Sequence, residues 1–375
     1  MQADSRDAPP PRPGHGSQHK QPAFVFISQV YVPDPAAVQR LLAQIIFLLQ
    51  AMWHSFFTPR LAGLLVSTSP PACGIGGAVV SLLRGVPVKF WVMDLNPDQL
   101  VIMKVLPPKA WPVRLFDLFN KAILWRASDV IVLDRYMGER VAAKARVAHK
   151  LHVLPPWPME DSRPHLPHAH NAFRRQHVPD EGNKFVVMYA GNHTPANPLD
   201  TLLAAAVRLQ DHPRLLVMSL GGGAAKKDVD ELVAQGVRNI VSLPYQPLQQ
   251  LHQLLSAADV HVVAMGNDMV GVVHPCKVYG AMAAHRPLLL LGPAGCHIGA
   301  LTTQQHIGWR VEHGDAQGAQ RVLQEISATP AEELQAMGER GAQAIAHSLG
   351  KAVLMQQLCG VLQRGVPLPA VAAMR

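Results

Sequence analysis

Glycine-containing turns that follow short apolar runs are the first features of this sequence that could bind a ligand. One turn contains Gly191 and Asn192, and a later one contains Gly222 and Gly223, with Lys226 one turn further on. Because glycine has no Cβ atom, backbone amides there can approach a phosphate closely, and a nearby lysine can neutralise a diphosphate. Each turn, taken alone, also fits an ordinary connection between a strand and a helix.

The stretch of residues 270–287 carries the most specific pattern. Lys277 stands at the start of a helix of small residues, where a fixed ammonium can stabilise negative charge on a departing phosphate. His274 precedes this lysine in the loop, and Gly280 follows it by one turn. Cys276 has no evident base beside it, which favours a packing role over a nucleophilic one.

Two further positions follow apolar runs. The segment that contains Leu243 and Tyr245 could pair its backbone with the edge of a nucleobase, although a loop stiffened by proline is an equally good interpretation. Asp94 ends another run and could orient an attacking hydroxyl or accept its proton. The alternative for Asp94 is a cap on a helix after Pro97.

The elements that must position these residues alternate regularly along the chain. Short apolar runs separated by helical patterns predict parallel sheets built from βαβ units, with ligands at the carboxyl ends of the strands. The predicted strands are 24–30, 64–67, 86–93 and 130–133, followed by 185–189, 215–219, 240–243, 260–263 and 288–291.

The length of 375 residues favours two domains. We expect a disordered tail at 1–22, a shortened Rossmann-like domain at 23–157, a linker at 158–184, a second Rossmann-like domain at 185–348, and a terminal helix and tail at 349–375. The linker holds several histidines, but none has a carboxylate or cysteine at a metal-ligand spacing, so no metal site is predicted.

Charge and composition narrow the functional classes. The net charge of +8 favours anionic partners, and four scattered cysteines fit a reducing, cytoplasmic setting. No apolar signal segment stands at the start, and no nucleic-acid-binding motif is present. The segment 41–57 is too short and too interrupted to cross a bilayer, and a buried helix is favoured there over an interfacial membrane helix.

Taken together, the motifs resemble family 4 retaining glycosyltransferases of the GT-B fold, and within them the branch of colanic acid and capsule polysaccharide enzymes. The resemblance covers roughly residues 24–348. It is carried by segments 28–35, 90–98, 191–193, 221–223, 243–247 and 274–287.

The resemblance implies two Rossmann-like domains that face each other across a cleft. The C-terminal domain would hold a nucleotide-sugar donor, the N-terminal domain would hold a lipid-linked or saccharide acceptor, and no metal would be needed. Lys277 and Asp94 are then the expected catalytic residues. The expected donor-binding residues are Gly191, Asn192, Gly222, Gly223, Lys226, Leu243, Tyr245, His274 and Gly280.

Two departures from the family pattern stand out. Many members carry two glutamates around this block, at positions that Val272 and Gly280 occupy here. After residue 37 the chain also passes almost directly into the segment 39–57, which resembles a later helix of the family, so the N-terminal sheet should have fewer strands than the family's.

The sequence therefore predicts hexosyl transfer, with retention, in surface polysaccharide synthesis by a cytoplasmic protein that associates peripherally with the inner face of the membrane. Two alternatives remain open. One is a non-catalytic remnant that binds nucleotide-sugars, and the other is a basic protein that only binds membranes.

Overall fold

The computed structural model of the protein describes residues 37–70, 72–159, 164–179 and 184–365. The tail predicted at 1–22, the strand predicted at 24–30 and the motif at 28–35 lie outside these residues.

The first domain contains a parallel sheet of four strands in the order β1-β2-β3-β4. The two central strands are almost entirely buried and mostly apolar, as expected for strands covered on both faces. Their charged residues, Lys89 and Asp129, pair with each other. The strands are β1 (Leu64–Ser67), β2 (Val88–Val92), β3 (Asp129–Val132) and β4 (Leu151–Val153). The helices are α1 (Ala37–Phe57), α2 (Cys73–Arg84), α3 (Asp98–Ile102), α4 (Trp111–Arg126) and α5 (Arg135–Lys144).

The second domain contains a parallel sheet of six strands in the order β10-β9-β8-β5-β6-β7. This order reverses between β5 and β8, which is the switch point where doubly wound sheets bind their ligands. The strands are β5 (Phe185–Ala190), β6 (Leu215–Leu220), β7 (Ile240–Leu243), β8 (Val260–Ala264), β9 (Leu288–Leu291) and β10 (Gly308–Val311).

Helices cover this second sheet and continue beyond it. They are α6 (Ala172–His177), α7 (Asp200–Arg208), α8 (Lys226–Ala234), α9 (Leu251–Ser256), α10 (Lys277–Ala283), α11 (His297–Gln305), α12 (Ala316–Ala328), α13 (Ala331–Ala344) and α14 (Lys351–Gln363). The prediction of two parallel α/β domains, the first with a small sheet, is confirmed.

Part of the predicted linker packs against the second domain. Phe173 of α6 and Val178 after it are buried in one cluster with residues of β5 and β6. The guanidinium of Arg174 donates to the Asp259 carboxylate at 3.0 Å. The segment around α6 is therefore folded onto the second sheet.

The chain returns to the first domain at its C-terminal end. Leu354 and Leu358 of α14 are buried against Ile131 of β3 and Leu154. Helix α14 follows the second domain in sequence but covers the first sheet, so it ties the two domains together.

Among the described residues, helix α1 packs on α2 through the face that carries Leu48 and Met52. Gly76 of α2 faces Leu48 and Met52 of α1, and a Cβ atom at Gly76 would come within 2.8 Å of the Leu48 side chain. The opposite face of α1, which includes Leu49 and Trp53, is exposed. The favoured interpretation of segment 41–57 as a buried helix is therefore wrong for that face.

Candidate functional site

The carboxyl ends of three neighbouring strands of the second sheet are joined by backbone hydrogen bonds. The amide of Gly191, after β5, donates to the Leu220 carbonyl at 2.9 Å. The amide of Gly221, after β6, donates to the Leu243 carbonyl at 3.0 Å. Both glycine turns and the segment after β7 thus meet at one edge, beside the switch point.

Lys277 is the first residue of α10, and its side chain reaches back to the end of β5. The Nζ atom lies 3.7 Å from the centre of the Tyr189 ring. A Cβ atom at Gly191, where φ is +142°, would lie 3.0 Å from Nζ, so glycine leaves the space that the ammonium fills.

The ammonium of Lys277 is buried and has no hydrogen-bond partner among the described residues. Burial lowers the pKa of Lys277 to about 7. Because a buried charge without a counter-charge is unfavourable, an anion that enters beside Gly191 would relieve the cost. The arrangement is therefore suited to binding a phosphate.

The glycine turns interlock around Asn192. The Tyr189 hydroxyl donates to the Asn192 carbonyl at 2.8 Å, which secures the turn after β5. The space that a side chain at Gly223 would need, where φ is +117°, is occupied by the Asn192 side chain and the His193 backbone. These contacts hold the two turns in close register.

Tyr245 provides an exposed aromatic ring next to these turns. The residue is 63% exposed, and a Cβ atom at Gly222 would lie 3.0 Å from its ring. An exposed aromatic ring beside a glycine turn can stack on a nucleobase. The sequence predicts that the backbone of this segment pairs with a nucleobase, and the structure adds the Tyr245 ring as a surface on which the base could stack.

His193 and Lys226 both bond to Ser219 at the end of β6. The imidazole Nε2 of His193 lies 2.7 Å from Ser219 Oγ, and Lys226 Nζ donates to the Ser219 carbonyl at 2.7 Å. Burial lowers the pKa of His193 to about 4, so its ring is neutral at pH 7. The predicted contact of Lys226 with a diphosphate stays a prediction, since its ammonium bonds to the strand end.

Asp94 follows β2 of the first domain and lies against the loop that precedes α10. The amide of Leu95 donates to the Val272 carbonyl at 2.9 Å, which joins the two domains next to Asp94. Burial raises the pKa of the Asp94 carboxyl, and the charge of His274 opposes this shift. Helix α3 has Pro97 at its N-cap without a side-chain cap, so the capping alternative for Asp94 is wrong.

A buried polar network that the sequence did not reveal surrounds His274. Its Nδ1 lies 2.7 Å from the Asp134 carboxylate, and its Nε2 lies 2.9 Å from the Tyr279 hydroxyl. That hydroxyl lies 3.0 Å from His297 Nε2. The one signal in the sequence is that Asp134 directly precedes a helical pattern, which is typical of a helix N-cap. Its contact with His274 joins residues 140 positions apart, so residue spacing does not indicate it.

The two positions where the resemblance implies glutamates are Val272 and Gly280, which supply no carboxylate. Val272 is fully buried in the core that the two domains share. Gly280 lies in α10, and a Cβ atom there would point at Leu255 from 3.3 Å. Its role in donor binding stays a prediction.

Two negative findings apply to the described residues. They contain no group of three or more histidine, cysteine, aspartate or glutamate side chains that could hold a metal ion. None of their helices is long and apolar enough to cross a membrane.

No protein-family model matches the chain, but two curated proteins have similar sequences. Over 292 residues the chain is 26% identical to Escherichia coli WcaI, named as a glycosyl transferase of colanic acid biosynthesis, covering 74% of this chain and 70% of WcaI. It is also 26% identical over 243 residues to Pseudomonas aeruginosa WbjE, named as a glycosyltransferase, covering 63% of this chain and 59% of WbjE.

Solved structures support the same assignment at the level of the fold. The Anabaena protein HepE in complex with UDP and glucose superposes with a TM-score of 0.65 at 15% identity, covering 89% of this chain and 84% of HepE. Sucrose-phosphate synthase from Thermosynechococcus elongatus gives a TM-score of 0.64 at 18% identity, covering 88% and 80%.

Two facing parallel α/β domains with these neighbours define the GT-B fold. The chain is a GT-B protein whose sequence is similar to the colanic acid branch of glycosyltransferases.

Proposed function

We propose that this protein transfers a hexosyl group from a nucleotide-sugar to a lipid-linked or saccharide acceptor, with retention at the anomeric carbon, in surface polysaccharide synthesis. One observation carries the proposal. Among the described residues, the buried ammonium of Lys277 has no hydrogen-bond partner, and it lies at the switch point of the second sheet, where a diphosphate would bind.

In the proposed reaction, the acceptor hydroxyl oxygen forms a bond to the anomeric carbon while the bond from that carbon to the β-phosphate oxygen breaks. The nucleoside diphosphate leaves with the electron pair. Lys277 and the amides near Gly191 and Gly222 stabilise its negative charge, and preorganised donors of this kind contribute a few kcal/mol each. Asp94 orients the hydroxyl and accepts its proton.

The base of the nucleotide would lie near Tyr245, and the diphosphate near Lys277. HepE is described in complex with UDP-glucose, so uridine nucleotides are the first donors to test on this chain. The resemblance implies no metal for this reaction, and donor binding should therefore persist in a chelator.

A non-catalytic nucleotide-sugar binder is the second candidate. It is favoured by the small first sheet, which leaves fewer elements to hold an acceptor while the donor domain is retained. A membrane-bound protein without donor affinity would be the third outcome. The proposed setting of the enzyme is the cytoplasmic face of the membrane, held there by its basic charge and exposed apolar residues.

Calorimetric titration with a panel of nucleotide-sugars, together with an assay for released nucleoside diphosphate, tests the proposal. We expect one donor to bind and to be hydrolysed slowly without acceptor. Lys277→Ala should weaken both signals strongly, and Lys227→Ala, which removes an exposed lysine, should leave them intact. Binding without any release would support the second candidate, and no binding by any nucleotide would refute both.

A further inference from the structure

We propose that one face of α4 docks onto an anionic lipid bilayer and holds the acceptor side of the cleft at the membrane surface. This face, here called the α4 stripe, consists of the six exposed residues of the helix. They are Trp111, Arg114, Leu115, Leu118, Lys121 and Trp125. The inference rests on the proposed peripheral membrane association and gives it a surface and a partner.

The composition of the α4 stripe is unusual for a helix face in water. Every member is either large and apolar or basic, whereas exposed helix faces normally carry many acidic and amide side chains. Trp111 is 74% exposed and Trp125 is 79% exposed, one at each end, with Leu118 between them at 60%. Their spacing places them along one side of the helix.

The other side of α4 does the packing that holds the helix in the domain. Val113, Ile123 and Leu124 are buried, and the last two belong to the core cluster that includes residues of β2 and β3. The apolar residues of the stripe are therefore not needed for the core, and their exposure has no structural use within the described residues.

The charge on this surface is complementary to an anionic leaflet. The one acidic residue of α4 is Asp117, which bonds to Lys121 at 2.9 Å and to Lys144 at 2.9 Å. Lys144 also pairs with Asp98 at 2.8 Å, so the two lysines balance these two carboxylates. Arg114 in the stripe and Lys109 before the helix are exposed, so the surface is positive.

Neighbouring helices extend the same character. Helix α2 packs against both α1 and α4. Leu82 and Leu83 of α2 and Leu49 and Trp53 of α1 are exposed, and neither helix contains an acidic residue. Three adjacent helices therefore present apolar outer faces without an exposed carboxylate.

A bilayer fits this surface better than a protein partner does. Tryptophan and basic residues interleaved with leucine on one helix face are typical of helices that lie in the membrane interface. With 16 residues, α4 is about 24 Å long, shorter than the hydrocarbon core, so it would lie in the plane of the membrane.

The inner side of α4 connects this surface to the acceptor site. Asn120 and Leu124 line a cavity together with Asp94 and Thr68. The cavity is thus separated from the α4 stripe by the thickness of one helix, about 10 Å. A lipid-linked acceptor could present its head group to Asp94 while its lipid stays in the bilayer. A soluble saccharide acceptor would not need the protein to be held at the membrane.

Vesicle co-sedimentation of the full chain tests the proposal. Trp111→Ser with Trp125→Ser should lower the partition coefficient at least about tenfold on neutral and anionic vesicles alike. Arg114→Gln with Lys121→Gln should lower the partition coefficient about 25-fold on vesicles that contain phosphatidylserine, because each basic residue contributes about a factor of five. The same variant should change it little on phosphatidylcholine alone. Val233→Ser, an exposed apolar position in the second domain, is the matched control and should change nothing.

The changed residues are exposed, so circular dichroism should show both double variants folded. Partition of the tryptophan variant within twofold of the unchanged chain, or no binding of anionic vesicles by the unchanged chain, would overturn the proposal. Loss of self-association in the tryptophan variant without any vesicle binding would assign the stripe to a second copy instead. Donor hydrolysis in solution should stay unchanged in every variant, so failure of the proposed glycosyl transfer would be seen separately.

Discussion

The imidazole of His274 in the second domain and the carboxylate of Asp134 in the first form a buried contact of 2.7 Å across the domain interface. Asp134 also caps α5, since its other oxygen accepts from the Met137 amide at 2.9 Å. These hydrogen bonds, acting against burial, lower the pKa of Asp134, so the carboxylate stays charged. The loop that carries Lys277 is thereby fixed to the start of a helix in the other domain.

This contact should contribute strongly to stability. Asp134→Asn keeps an oxygen for the helix cap but removes the charge, and His274→Gln removes the imidazole. Each single change should lower the free energy of unfolding by about 3 kcal/mol, because one buried partner is left behind. The double variant should lose less than the sum of the singles, with a coupling of at least about 1 kcal/mol.

Urea denaturation of the four proteins measures this cycle. The exposed pair of Arg238 and Asp211 offers a matched control, and Arg238→Gln should cost less than about 1 kcal/mol. Additive losses for Asp134→Asn and His274→Gln would show that the two residues act independently.

Asp94→Asn should reduce glycosyl transfer without weakening donor binding, because Asp94 lies on the acceptor side of the cleft. Asparagine has the same size and is neutral, so the fold and the affinity for nucleoside diphosphate should stay within twofold of the unchanged protein. Turnover of the donor should fall by about 100-fold or more, because a proton acceptor is lost. An equal fall in donor affinity would place Asp94 on the donor side and contradict its proposed role.

The sequence predicted those features that depend on local pattern. The alternation of apolar runs and helices gave the parallel sheets, and the glycine turns together with Lys277 marked the edge where β5, β6 and β7 end. The predicted sheets and turns agree with the structure because strand ends and turns are set by neighbouring residues, and the binding roles of these residues stay predictions.

Features that depend on tertiary contacts were missed. Strand β10 lies at the sheet edge, is only partly buried and includes Arg310, so it has no continuous apolar run. Strand β4 has only three residues. The contact of Asp134 with His274 joins two domains, and the exposure of the outer face of α1 depends on what packs beside it.

Gly191→Ala should disrupt the phosphate end of the site. The backbone there has a φ of +142°, and the new methyl group would lie 3.0 Å from Lys277 Nζ. We expect at least about tenfold weaker nucleotide binding, because a shift of the ammonium weakens a charge-assisted contact. Gly236→Ala is the control, since Gly236 has a φ of +83° but open space around it.

Both alanine variants should lose about 1 kcal/mol of stability from backbone strain, measured by thermal unfolding. Only Gly191→Ala should lose nucleotide affinity in titration. Comparable affinity losses in both would mean that strain alone weakens binding, and that Gly191 makes no room for Lys277.

The pH dependence of nucleotide binding should report on Lys277 directly. Burial lowers the pKa of this residue from 10.5 to about 7 in the free protein, and a bound diphosphate should raise it again because it pairs with the ammonium. Above pH 7 the free lysine loses its proton, so binding must take one up. Affinity should therefore fall as pH rises, by up to about tenfold per unit, until the pKa of the complex is reached.

The same shift predicts the opposite trend for the stability of the free protein. The unfolded chain binds the proton of Lys277 up to pH 10.5, whereas the folded chain releases it near 7. Between these values the unfolded state carries more protons, so the contribution of Lys277 to stability rises with pH.

Titrations with UDP between about pH 7 and pH 9 measure the pH dependence of binding and avoid the ionisation of the phosphate itself, which lies near pH 6. Lys277→Met should bind weakly with no slope over this range, and Lys227→Met should keep the slope of the unchanged protein. A pH-independent affinity in the unchanged protein would show that the ammonium of Lys277 does not meet the phosphates.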